Sequence, residues 1–145
     1  MPVTSYELDR EVFNQLNQGV GSLNVWKGAA SGIAEYVASW GLERFWSMSR
    51  SPVLLNGELP AHDQGNETDQ RRYFAWGVAR VVLCRVLGAD LQIRANMDTA
   101  AFQTRLENLT YNQQILVSEV LIEIADAIQF WTMRLSDAQE AGQPA

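Results

Sequence analysis

The 145-residue chain is poor in several residue types whose absence narrows what it can do. It has one cysteine, Cys84, so an internal disulfide is excluded and a reducing compartment suits the sequence. The triplets Asn66-Glu67-Thr68 and Asn108-Leu109-Thr110 are then chance matches to a glycosylation signal. No run of eighteen apolar residues occurs, so no membrane-spanning segment is expected. The N-terminus, MPVTSYELDREVF, carries acids where a signal peptide carries a basic stretch, and the expected location is the cytoplasm. The single histidine, His62, lies beside Asp63 between Pro60 and Gly65. With Glu58 and Asp69 it lacks the spacing of metal ligands and reads as a solvated loop histidine. There is no phosphate loop, nucleophile elbow or Gly-x-Gly-x-x-Gly. The expectation is a chain that is not an enzyme and carries no cofactor or metal.

What is present is apolar and helical. Apolar residues make up 47% of the chain and charged residues 19%, a globular balance for one domain of this length. Thr4 or Ser5 caps a first helix over 4–18, with Tyr6, Phe13 and Leu16 among its apolar positions. Gly19 and Gly21 break it. A second helix is expected from about Ser22 to Trp40, ending at Gly41, with Gly28 and Gly32 on one face where another backbone could approach. A short piece, Leu42 to Met48, follows. Residues 50–69 hold Pro52, Asn56-Gly57, Pro60 and Gly65 without helical period, and read as a long loop. A third helix, about Asp69 to Leu87, is apolar all round and belongs in the centre of a bundle, with Gly88 as its stop. Asp98 caps a helix to about Leu109. The last helix, about Tyr111 to Ser136, carries Val117, Leu121, Ile124, Ile128, Trp131 and Leu135 at steps of four and three, a packing seam. The fold class expected is all-α: one bundle of five or six helices over 1–138, with 139–145 a disordered tail.

Two weaker constellations read as structure. Glu119, Glu123 and Asp126 line one side of the last helix without the Glu-x-x-His of a di-iron bundle, which makes them a solvated face. Cys84 sits among valines and reads as a buried, inert thiol.

The net charge of −6 hides a partition. Residues 1–69 are net −5, residues 70–105 net +4, and residues 106–145 net −5. All basic residues but Lys27 are arginine, whose planar fork suits phosphate and also tolerates partial burial. Arg71, Arg72, Arg80, Arg85, Arg94 and Arg105 are therefore candidates for phosphate contact, with internal or intersubunit salt bridges as the alternative. At about 100° per residue Arg71 and Arg85 nearly share a face of the third helix while Arg72 and Arg80 point elsewhere, so that helix offers no single stripe. Among the tryptophans, Trp76 and Trp131 fall at core spacings, and Trp40 pairs with Tyr36 on one face. Phe45 and Trp46 are adjacent and cannot both point inward on one helix, so one of them is expected at an interface, as is Trp26.

Two segments carry a resemblance. IAEYVASWGLERFWSMSRS, Ile33 to Ser51, resembles the helix, Gly-Leu step and aromatic-bearing helix of the small helical-bundle subunits of type III CRISPR effector complexes. The step here is Gly41-Leu42, followed by Phe45 and Trp46. SEVLIEIADAIQFWTMRLSDA is similar to the closing helix of that family at Glu119, Val120, Leu121, Phe130, Trp131 and Arg134. The resemblance implies a non-catalytic building block that packs beside other protein subunits, with self-stacking possible. It also implies backbone contacts to guide RNA and target nucleic acid, which would fall to the arginine-rich 70–105 section. Two other readings stay open. Trp26-Lys27-Gly28 is similar to the Trp-x-Gly of small secreted helical proteins, although Tyr111 is not followed by their Tyr-x-x-x-Asp/Glu signal. The third is a helical adaptor or phage-type assembly protein with no nucleic-acid role.

Overall fold

The structure, a computed structural model, describes residues 4–17, 31–49 and 75–142. Among these residues there are six helices and no strand, the all-α bundle the periodicities predict. They are α1 (Ser5–Asn17), α2 (Ser31–Trp40), α3 (Leu42–Met48), α4 (Trp76–Leu91), α5 (Thr99–Glu107) and α6 (Tyr111–Ala141). The expected loop at 50–69, His62 with its acidic neighbours, Gly19, Gly21, Gly28 and the start of the second helix lie outside the described residues. No described helix is long and apolar enough to cross a membrane.

Local chemistry sets the helix starts. Thr4 Oγ1 accepts the Glu7 N–H at 3.1 Å and Asp98 Oδ1 accepts the Ala101 N–H at 2.7 Å, each satisfying a donor the first turn would leave orphaned. Thr110 and Gln113 cap each other reciprocally at the start of α6, at 3.1 and 2.9 Å. Between α2 and α3 the chain turns at Gly41, whose φ of 87° is open to glycine at no steric cost. Its N–H still donates to Val37 O, so α3 leaves α2 without losing the backbone bond at the corner.

One apolar cluster draws on all six helices. α6 packs against α1, α2 and α4, α1 also packs against α4, and α3 packs between α2 and α5. The predicted α6 seam is the inner face: Val117, Leu121, Ile124, Ile128 and Leu135 are buried, and Trp131 is half-buried with Phe13 against its ring at 5.2 Å. In α1 the buried spacing is Leu8, Val12 and Leu16, while Tyr6 faces solvent. α4 occupies the centre, with Val78, Ala79, Val82, Leu83 and Leu87 all buried.

Four boundary and packing expectations need correction. α4 does not stop at Gly88 but continues to Leu91, where Gln92 takes the left-handed conformation. Gly88 is glycine for a different reason: a Cβ there would stand 2.5 Å from Ile93 O, where the chain folds back and Ile93 N–H donates to Gly88 O. Gly32, by contrast, has open space where its Cβ would be, so it marks no close approach. At the other end of the chain α6 runs through 139–141, which the sequence reading assigns to a disordered tail. Gln139, Glu140 and Ala141 are good helix formers, and the helix ends only at Gly142 with φ 68°. Finally, Trp40 does not pack on Tyr36. Tyr36 lies edge-on to Trp76 at 5.3 Å, and Trp40 is 55% exposed under the Arg44 guanidinium at 4.4 Å.

The two glycines give a paired prediction. Gly88→Ala should destabilise the fold by about 1–3 kcal/mol through overlap with a backbone carbonyl that cannot swing aside. Gly32→Ala, inside α2 with room to spare, should stabilise it by about 0.5–1 kcal/mol. Urea unfolding midpoints of the two variants should move in opposite directions, and movement the same way would contradict the packing at Gly88.

Candidate functional site

The four candidate arginines among the described residues do not form one site. Arg80 lies in the second turn of α4 and is 1% exposed. Each of its nitrogens donates: Nε to Ala95 O at 2.8 Å, Nη1 to Trp46 O at 2.8 Å and Ser49 Oγ at 3.4 Å, and Nη2 to Met97 O at 2.5 Å. The guanidinium carbon stands 3.8 Å from the centre of the Trp46 ring. Phe102 stacks on the same ring at 4.1 Å and 2°. Two groups that close to one ring centre must take opposite faces, so Trp46 is sandwiched between a cation and an aromatic ring. Arg80 is therefore not a phosphate contact, and its charge serves the packing of the α3 C-terminus onto the α4–α5 connection.

Phe45 and Trp46 are both buried, against the expectation that one of them reaches an interface. Adjacent side chains on a helix diverge by about 100°, and α3 is short enough to be walled on two sides. Phe45 stacks on Trp76 of α4 at 5.6 Å, while Trp46 faces Phe102 of α5 and donates its Nε1–H to Met97 O at 2.9 Å. Neither is available to a partner. Trp26, Arg71 and Arg72 lie outside the described residues.

Three candidates remain at or near the surface. Arg105 is half-buried, and its Nε donates to Leu91 O at 2.9 Å, at the carbonyl end of α4 where a cation complements the helix dipole. Arg85 and Arg94 are exposed, one on α4 and the other in the connection that follows it. The Arg105 tie brings α5 against the end of α4, so Arg94 and Arg105 flank the same turn.

The described residues hold no group of three His, Cys, Asp or Glu side chains placed to grip a metal ion. Glu119, Glu123 and Asp126 are exposed, the solvated face the sequence reading gives them. Burial pushes the Cys84 thiol up to about 12, with the nearby Arg80 charge offsetting only part of that, so the sulfur stays protonated at neutral pH and is a poor nucleophile.

Two open clefts border α6. The first, about 480 Å³, has Trp40, Leu42, Tyr111 and Ile115 on its walls, with Glu43 and Glu119 as its charged groups. Tyr111 is 77% exposed there. The second, about 410 Å³, lies between α1 and α6, with Leu8, Ala127 and Phe130 beneath Asp9, Glu123 and Asp126. Asp9 also accepts from the Trp131 indole N–H at 3.2 Å. Neither cleft has a described lysine or arginine in its wall. Sequence reasoning missed these surfaces because it read Trp40 as paired and gave α6 only one apolar face, although the Tyr111, Ile115 and Ile122 spacing was there to be read.

Comparison of the chain with protein-family models, curated proteins and solved structures finds no match.

Proposed function

We propose that the chain is a non-catalytic, cytoplasmic assembly subunit of a multi-subunit complex, of the kind its resemblance implies: a small subunit of an RNA-guided, CRISPR-type effector. The observation that carries the assembly part is the exposed aromatic surface of Trp40 and Tyr111, in a cleft with Glu43 and Glu119 in its wall and the Arg44 guanidinium over the Trp40 ring. A contiguous apolar patch rimmed by polar groups marks a protein contact. Support for the family comes from the two resembling segments. Gly41-Leu42 is a true helix break, and the closing helix keeps Trp131 inward and Arg134 outward. The nucleic-acid part rests on Arg71, Arg72, Arg85, Arg94 and Arg105, now that Arg80 belongs to the core.

A specific observation favours a second reading, a helical adaptor without nucleic acid. Arg80 of the basic section is consumed inside the bundle, and the chain as a whole is acidic. Native purification of the tagged chain at low salt, with RNA sequencing and mass spectrometry of the eluate, separates the two. Short guide RNAs with larger protein partners are expected. In that case the combined Arg71→Ala, Arg72→Ala, Arg85→Ala and Arg94→Ala variant should weaken RNA binding at least tenfold and flatten its salt dependence by roughly 0.7–0.9 in log–log slope per lost phosphate contact. An eluate of protein alone would sink the ribonucleoprotein reading and leave the adaptor.

A further inference from the structure

Among the described helices, α6 carries apolar side chains on a second side, interrupted by the half-buried Gln129. Opposite its buried seam, and at about 100° per residue, Tyr111, Ile115, Ile122 and Met133 fall within about 40° of one another. Tyr111, Ile115 and Met133 are exposed and Ile122 is half-buried. At about 1.5 Å per residue the stripe from Tyr111 to Met133 runs roughly 33 Å, about six helical turns. A surface helix of a finished monomer presents polar residues on that side. One flank of the stripe carries Glu119, Glu123 and Asp126, within about 60° of one another and all exposed. Trp40 stands beside its N-terminal end, in the wall of the first cleft.

We propose that this outer face of α6 is the docking surface for a basic amphipathic helix of another protein, lying along the stripe. Its apolar residues, at spacings of three and four, would cover Tyr111, Ile115, Ile122 and Met133, and its lysines or arginines would face Glu119, Glu123 and Asp126. Charge selects this occupant over a second copy. Among the described helices none offers more than one arginine at the surface, and each copy brings a net charge of −6. Copy on copy would set acids against acids, whereas a basic helix neutralises them. The inference deepens the assembly-subunit reading and rests on it for the existence of a partner, but needs no nucleic acid.

The test uses the full chain and two synthetic helical peptides of about 22 residues, the length that spans a stripe of roughly 33 Å. Both carry leucines at alternating steps of three and four; one has lysines along the flank and the other glutamates. Fluorescence anisotropy should give the lysine peptide an affinity on the order of micromolar and the glutamate peptide at least tenfold less. Ile115→Glu should weaken the lysine peptide at least tenfold, and Glu119→Lys/Glu123→Lys/Asp126→Lys should reverse the preference between peptides. Circular dichroism melts close to that of the unaltered chain would show that these surface changes leave the fold intact. Equal affinity for the two peptides, or no effect of Ile115→Glu, would overturn the proposal. So would a concentration-dependent dimer abolished by Ile115→Glu, which would assign the stripe to a second copy. RNA in the native eluate is decided separately, so failure of the docking surface and failure of the ribonucleoprotein reading are distinguishable.

Discussion

Replacing Arg80 with methionine is expected to cost the fold about 3 kcal/mol or more, read as a loss in urea midpoint and roughly a 10 °C fall in Tm. Methionine keeps much of the aliphatic stem and removes the fork. The Ala95 carbonyl then loses its donor, while Trp46 O keeps only the Ser49 hydroxyl and Met97 O only the Trp46 indole N–H. Hydrogen bonds from a charged donor contribute about 1.5–3 kcal/mol each, and the donors that Trp46 O and Met97 O retain keep the sum well below three such bonds. Lysine should recover less than half of the loss, because a compact ammonium cannot span acceptors arranged for a planar fork. The loss should change little between low and high salt, since the interaction is shielded from solvent ions. A loss below about 1 kcal/mol would mean the guanidinium does not hold these segments together. The same result bears on the functional test: weaker nucleic-acid binding by an Arg80 variant would report a damaged bundle, so the phosphate question belongs to the exposed arginines.

Trp46→Ala should be as damaging, about 3–5 kcal/mol, by a different route. The substitution empties a site bounded by Phe102 on one ring face and the Arg80 guanidinium on the other, and it frees Met97 O from the indole donor. Trp46→Phe should retain a substantial part of the stacking and lose the hydrogen bond, falling between the two. Because Arg80 and Trp46 touch, their losses should not add. The double variant should be less unstable than the sum of the singles by about 0.5–3 kcal/mol. Additive losses would mean that the cation and the ring act independently, contrary to their stacking.

Much of the architecture was legible because it is written locally. Thr4, Asp98 and Gly41 act within a turn of their own positions, and the α6 seam is a period that any single helix displays. What escaped depends on segments far apart in the chain. An arginine amid valines reads as a phosphate ligand or a salt-bridge partner until the carbonyls of 95 and 97 arrive beside it. Phe45 and Trp46 looked mutually exclusive because one wall was assumed for α3, which has two. Gly88 was read as a stop signal when its missing Cβ makes room for the returning backbone at Ile93. For the candidate site, the arginines were visible as a charge partition, but only burial could separate Arg80 from Arg85 and Arg94. The exposed face of α6 is hidden for the opposite reason: its apolar residues are present in the pattern but sparser than those of the buried seam.

The Arg80–Trp46 cluster also has a consequence for the order in which the bundle can be assembled. The Trp46–Met97 bond joins positions 51 apart and the Arg80–Ser49 contact positions 31 apart, whereas the caps of α5 and α6 each close over three. Bringing distant positions together carries a loop-closure entropy that the local caps do not face. The capped starts of α5 and α6 are thus suited to form early, with α3 seated after α4 and its following turn are in place. Energy gained after the rate-limiting barrier appears chiefly in the unfolding rate. The buried arginine and its indole would then act as a latch on the finished bundle, slowing its opening rather than hastening its formation.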